Sequence, residues 1–92
     1  MNSLETVMNA LNLAKARMTE VPSFSIYQSI VAQLEYVADV LRGVEMDRGR
    51  LRDVMIGHYG AREFEESDPE FASALKDAQL IATKMSKGLK VS

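Results

Sequence analysis

His58 is the only imidazole in the chain and there is no cysteine, so nucleophilic catalysis would have to pair His58 with a serine or threonine hydroxyl. Between Gly57 and Tyr59, it reads as a surface or packing residue before it reads as a general base. Metal chemistry fares no better. A di-iron bundle needs Glu-x-x-His pairs and a zinc protease helix needs His-Glu-x-x-His, and the sequence has neither. Glu63, Glu65 and Asp68 crowd together, but a calcium loop wants glycine at its sixth position and glutamate at its twelfth, and no register fits. There is no Gly-x-x-x-x-Gly-Lys run to cradle a phosphate, and Gly57 with Gly60 does not supply one. Arg48, Arg50 and Arg52 would diverge on a helix and are offset by Glu45, Asp47 and Asp53, so no nucleic-acid grip is expected. On these residues we expect no catalytic group, no metal site and no cofactor.

The charge that is unusual lies elsewhere. Residues 61–70 carry five carboxylates against one arginine, a net of -4, whereas residues 71–92 sum to +3. Lys84, Lys87 and Lys90 are explained by the negative end of a helix dipole. Asp68 and Glu70 are explained by the positive end of the same helix, which leaves Glu63, Glu65 and Glu66 without a local reason. Charge runs usually face water. Interleaved with Tyr59, Phe64 and Phe71, this one has a composition suited to gripping a partner.

Four helical stripes must carry that connector. The first starts at Ser3 as cap and places Leu4, Val7, Met8, Leu11, Ala14 and Met18 on one face, ending where Pro22 forces Val21 out of the α region. The second shows Ser25 and Gln28 at capping-box spacing, with Ile26, Ile30, Leu34, Val37 and Leu41 behind it and Gly43 as its stop. A third is expected from Asp47, carrying Leu51, Val54 and Met55, weakened by Gly57 and Gly60 and ending near Phe64. The fourth has the plainest start: Asp68 as cap, Pro69 at the first helical position and Glu70 in the first turn. Phe71, Leu75, Ala78, Ala82 and Met85 line one face, with Gly88 after the last turn. Leu80 and Ile81 fall off that face, so this helix should be central or bury against a partner. Leu89 and Val91 form a tail that can dock on the rest. The fold expected is all-α: a compact antiparallel four-helix domain, residues 1–92, with a short C-terminal tail.

The 92 residues are right for one core, and the 47% apolar and 26% charged fractions are those of an ordinary globular chain. A net charge of -2 offers no general attraction to nucleic acid or anionic lipid. Polar residues interrupt the start too often for a secretory signal, and no stretch approaches the roughly 20 apolar residues that cross a bilayer. Together with the absence of cysteine, this points to the cytoplasm and to no membrane association.

The run Arg62-Glu63-Phe64-Glu65-Glu66-Ser67-Asp68-Pro69-Glu70, then Ala74-Leu75-Lys76-Asp77-Ala78 and the closing Gly88-Leu89-Lys90-Val91, resembles the immunity proteins that protect bacteria from a type VI secretion NAD(P)+ glycohydrolase toxin. The earlier half is similar in layout, with its proline break, Gln33-Leu34-Glu35-Tyr36-Val37 and the Asp47-Arg48 start. The resemblance implies a non-enzymatic inhibitor that binds a cognate toxin domain and blocks its NAD(P)+ site. On that reading Glu63, Glu65, Glu66 and Asp68 supply electrostatic complementarity to a mouth built to hold a pyrophosphate, and Tyr59, Phe64 or Phe71 supplies apolar anchoring. The rival reading is a helical antitoxin or secretion adaptor that holds a partner without covering a nucleotide site.

Overall fold

A computed structural model describes residues 2–91. Three helices of 18 residues form its frame: α1 (Ser3–Glu20), α2 (Ser25–Arg42) and, after the connector, α4 (Pro69–Ser86). Between α2 and α4 run a 3₁₀ turn (Gly49–Asp53), the short α3 (Ile56–Tyr59) and a π turn (Gly60–Phe64). No strand occurs among the described residues, and the all-α, four-helix expectation holds.

The stripes seen in the sequence become one core. Val7, Ala10, Leu11 and Ala14 of α1 meet Ile30, Leu34 and Val37 of α2 and Phe71, Leu75, Ala78 and Ala82 of α4, all buried. Helix α4 touches α1, α3 and both turns, as its broad apolar surface requires. No helix of the described residues is long and apolar enough to cross a membrane.

Several local expectations need correction. Asn2, not Ser3, caps α1, its side chain accepting the Glu5 N–H at 2.8 Å while Ser3 is the first helical residue. Helix α2 has no side-chain cap; Phe24 precedes it and Ser25 already lies inside. Asp47 caps no helix but closes a tight turn by accepting the Gly49 N–H at 2.9 Å. The single third helix is instead three short pieces, and Met55, expected on its apolar face, is 43% exposed. Leu80 is also exposed and Leu89 stands off the body, while Val91 packs against the core. At Gly43 and Gly88 the backbone enters the left-handed region, φ 77° and 75°, so both helices end where glycine permits it.

Candidate functional site

The segment between α2 and α4 is the longest stretch that no long helix organises, and segments of that kind in a packed domain are commonly where binding occurs. Its shape is imposed from both sides. From α2, Gln33 Oε1 accepts the Met55 N–H at 2.8 Å and the Tyr36 hydroxyl donates to the Asp47 carbonyl at 2.8 Å. From α4, Gln79 Oε1 accepts the Gly57 N–H at 3.1 Å while its Nε2 donates to the Val54 carbonyl at 2.9 Å. These bonds satisfy backbone groups that short helical pieces leave open.

Gly57 and Gly60 have a role that their weak helix propensity concealed. A Cβ on Gly57 would lie 2.8 Å from Gln79 Cβ, and one on Gly60 would lie 3.1 Å from the Ala72 carbonyl oxygen. The connector therefore rides directly on α4, and only glycine allows that approach. The π turn then swings Phe64 inward, where it is 4% exposed. Its ring centroid lies 4.9 Å from Phe71, edge to face, and 5.5 Å from Tyr27, stacked, with Phe24 completing the cluster.

One carboxylate closes the connector. Asp68 caps α4 through the Phe71 N–H at 3.4 Å and takes Arg17 Nε at 2.7 Å, joining the start of α4 to the last turns of α1. The Arg17 hydrogen bond holds the Asp68 carboxyl below the usual carboxylate range, against the opposing effect of burial, and the same bond raises Arg17. Burial pushes the nearby Tyr27 phenol up, with the Asp68 charge adding to it.

The seven residues singled out from the sequence thus divide. Phe64 and Phe71 are core residues and offer no surface, so anchoring by them is corrected to support from behind. Asp68 is half-buried and already paired. Tyr59 is half-buried against the core, and Glu63, Glu65 and Glu66 face outward. With Ala61, Arg62 and Ser67, the three glutamates line an open recess of about 520 Å³. Glu65 is held by Lys76 at 2.7 Å, whereas the side chains of Glu63 and Glu66 have no ion pair or hydrogen bond among the described residues. His58 is exposed, and its Nε2 lies 3.3 Å from Arg62 Nη1 with no serine or threonine hydroxyl bonded to it among the described residues. Also among the described residues, no three of His, Cys, Asp and Glu converge as a metal site would require.

This arrangement is an exposed acidic surface on a helical frame, and its whole course matches a known pattern: the model of the Tsi6 family aligns with residues 2–84. The chain belongs to the Tsi6 family. It is similar to the immune protein Tsi6 of Pseudomonas aeruginosa strain PAO1, with 35% identity over 91 residues covering 99% of this chain and 97% of that protein. Among solved structures, Tsi6 in a complex of Tse6 with Tsi6 superposes with a TM-score of 0.92 at 34% identity, covering 98% of this chain and 96% of that one. A structure of Tsi6 from Pseudomonas aeruginosa superposes with a TM-score of 0.87 at 35% identity, covering all of this chain and 96% of the other. The Tsi6 likeness therefore spans the frame and the connector together. Of the residues that hold the connector, Gln33 and Tyr36 entered the sequence reading only within the run of residues 33–37 and Gln79 not at all, and none was expected to hold it. Only the Gly57, Gly60 spacing opposite the small Ala72 could have hinted at so close a contact.

Proposed function

We propose that this chain is an immunity protein that binds a cognate type VI secreted toxin domain with NAD(P)+ glycohydrolase activity and inhibits it by covering the active site. The observation that carries the reading is full-length similarity to the immune protein Tsi6, together with the match to Tsi6 in its complex with Tse6. The chain acts by stoichiometric binding, without turnover of its own, in the cytoplasm of the cell that makes the toxin. Glu63, Glu65 and Glu66 face the partner, Tyr59 adds apolar contact, and Phe64, Phe71 and Asp68 hold them in place. A toxin pocket that takes a dinucleotide must offer donors or cations to the pyrophosphate, and an exposed group of carboxylates complements it.

Magnitude constrains the interaction. With roughly 1 μM free inhibitor, a Kd of about 1 nM leaves about one toxin in a thousand unbound, so protection needs nanomolar binding or tighter. Interfaces of that strength commonly bury about 1,200–2,000 Å² in total, which one face of a domain this size can supply. The test is co-expression with the cognate toxin domain, sought in the reading frames that neighbour this chain's own, following growth and cellular NAD(P)+. Growth and a preserved dinucleotide pool are expected. A pool that collapses despite a soluble, folded inhibitor overturns the reading. Competition with NAD+ for the purified toxin domain separates occlusion from adaptor-like binding, because an adaptor binds equally well to a toxin whose pocket is filled.

A further inference from the structure

Ahead of the acidic run, residues 43–60 carry three arginines and three carboxylates, which that run leaves unused. Arg48, Arg50 and Arg52 are all exposed, and among the described residues none of them lies within ion-pair distance of a carboxylate. Of the three, Arg50 makes a ring contact, its guanidinium carbon lying 4.4 Å from the centroid of the Tyr36 ring.

Beside this stack is a depression of about 180 Å³ lined by Ala32, Gln33, Tyr36, Arg50, Asp53 and Val54. Its walls are already fixed. The Tyr36 hydroxyl is committed to the Asp47 carbonyl, and the Gln33 amide is used at both ends, by the Met55 N–H and by Ser29 Oγ. The guanidinium lies over the Tyr36 ring and spends no N–H on a protein acceptor among the described residues, so its donor fork remains available to a carboxylate, which it matches with two parallel bonds. Ala32 and Val54 give the aliphatic stem of such a side chain an apolar wall. Asp53 shares the 3₁₀ edge with Arg50, three residues on, and can accept an N–H from the same incoming segment.

We propose that the Tyr36–Arg50 depression is a second contact socket, which receives a side-chain carboxylate from an acidic segment of the partner protein. The proposal rests on the immunity reading for the identity of that partner. It gives the protein two kinds of contact, the glutamates seeking cations and Arg50 seeking an acid. A partner that matched the glutamates alone would leave Arg50 unpaired and would bind less tightly, so the two contacts together set specificity.

The experiment is a kinetic binding series of the full chain against the purified toxin domain from which it protects in the co-expression test, comparing wild type, Arg50→Ala and Arg50→Lys. Arg50 is exposed, so circular dichroism should match wild type in both variants, and loss of the Tyr36 contact should lower the melting point by no more than about 8 °C. Arg50→Ala is expected to weaken binding at least about tenfold, chiefly through faster dissociation, as truncation of a desolvated charge pair does. Arg50→Lys is expected to recover less than half of that loss, because an ammonium lacks the planar fork. Wild-type binding with an Arg50→Ala affinity within about twofold overturns the socket and leaves the immunity reading standing. A wild-type chain that binds no toxin domain overturns both.

Discussion

Replacing Gly57 with alanine sets two physical effects against each other. Helix propensity alone favours alanine by about 1 kcal/mol, and that is the gain expected for an exposed helical glycine. In the fold, however, the new Cβ would sit 2.8 Å from Gln79 Cβ and 2.9 Å from its Cγ. The Cβ belongs to the root of the Gln79 side chain, which no rotamer moves, so α3 must back away from α4. Overpacking of this kind costs about 1–3 kcal/mol. The retreat also stretches the 3.1 Å Gly57 N–H bond to Gln79 and the 2.9 Å bond from Gln79 to Val54, each worth about 1 kcal/mol. Set against the propensity gain, the net is a loss of about 1–3 kcal/mol. For a domain of this size each kcal/mol moves the melting point by about 4–8 °C. Thermal denaturation of Gly57→Ala should therefore show a midpoint lowered by at least about 5 °C. Amide hydrogen exchange should accelerate selectively in residues 54–66. A midpoint equal to or above wild type would refute the argument that close approach, rather than chance, places glycine here.

Two other perturbations follow from the site. Asp68→Asn keeps a competent helix cap but removes the charge paired with Arg17, so it should cost about 1 kcal/mol at pH 7 in urea unfolding. The Asp68 carboxyl has a lower pKa folded than unfolded, so the unfolded chain takes the proton first. Its contribution is whole above the unfolded value of about 4 and is lost as pH falls through the lowered folded value. Stability of the wild type should thus drop more steeply in acid than that of Asp68→Asn, and parallel curves would remove the assignment. Reversing Glu63 and Glu66 together to lysine should leave the melting point within about 2 °C of wild type, since neither side chain is bonded among the described residues. The same pair should slow toxin association and flatten its salt dependence; an unchanged association rate would show that the acidic face does not meet the partner. Glu65 is a poorer choice for such a swap because its reversal also breaks the 2.7 Å pair with Lys76.

The long helices were legible because their signals are local. The spacing of Val7, Leu11 and Ala14, the proline at 22, Gly43 and the Asp68-Pro69 start each act through their own turn of backbone, and the structure keeps all of them. The caps at Asn2 and Phe24 differ from expectation by one residue, a shift that hydrophobic period does not resolve. The connector was illegible for a different reason. Its pieces are stabilised by Gln33, Tyr36 and Gln79, which lie on other helices, and no spacing within the connector records those bonds. The aromatic residues misled in the same way. Phe64 reads as a surface anchor amid four glutamates and an arginine, but the π turn rotates it beneath them and leaves the charges alone outside.

That separation of inner supports from outer charges bears on how such a protein could change allegiance. Glu63 and Glu66 brace nothing, so exchanging them leaves the aromatic floor, the glutamine ties and the Arg17 latch intact. A lineage confronting an altered toxin could redraw its recognition code one side chain at a time, each step nearly neutral for folding.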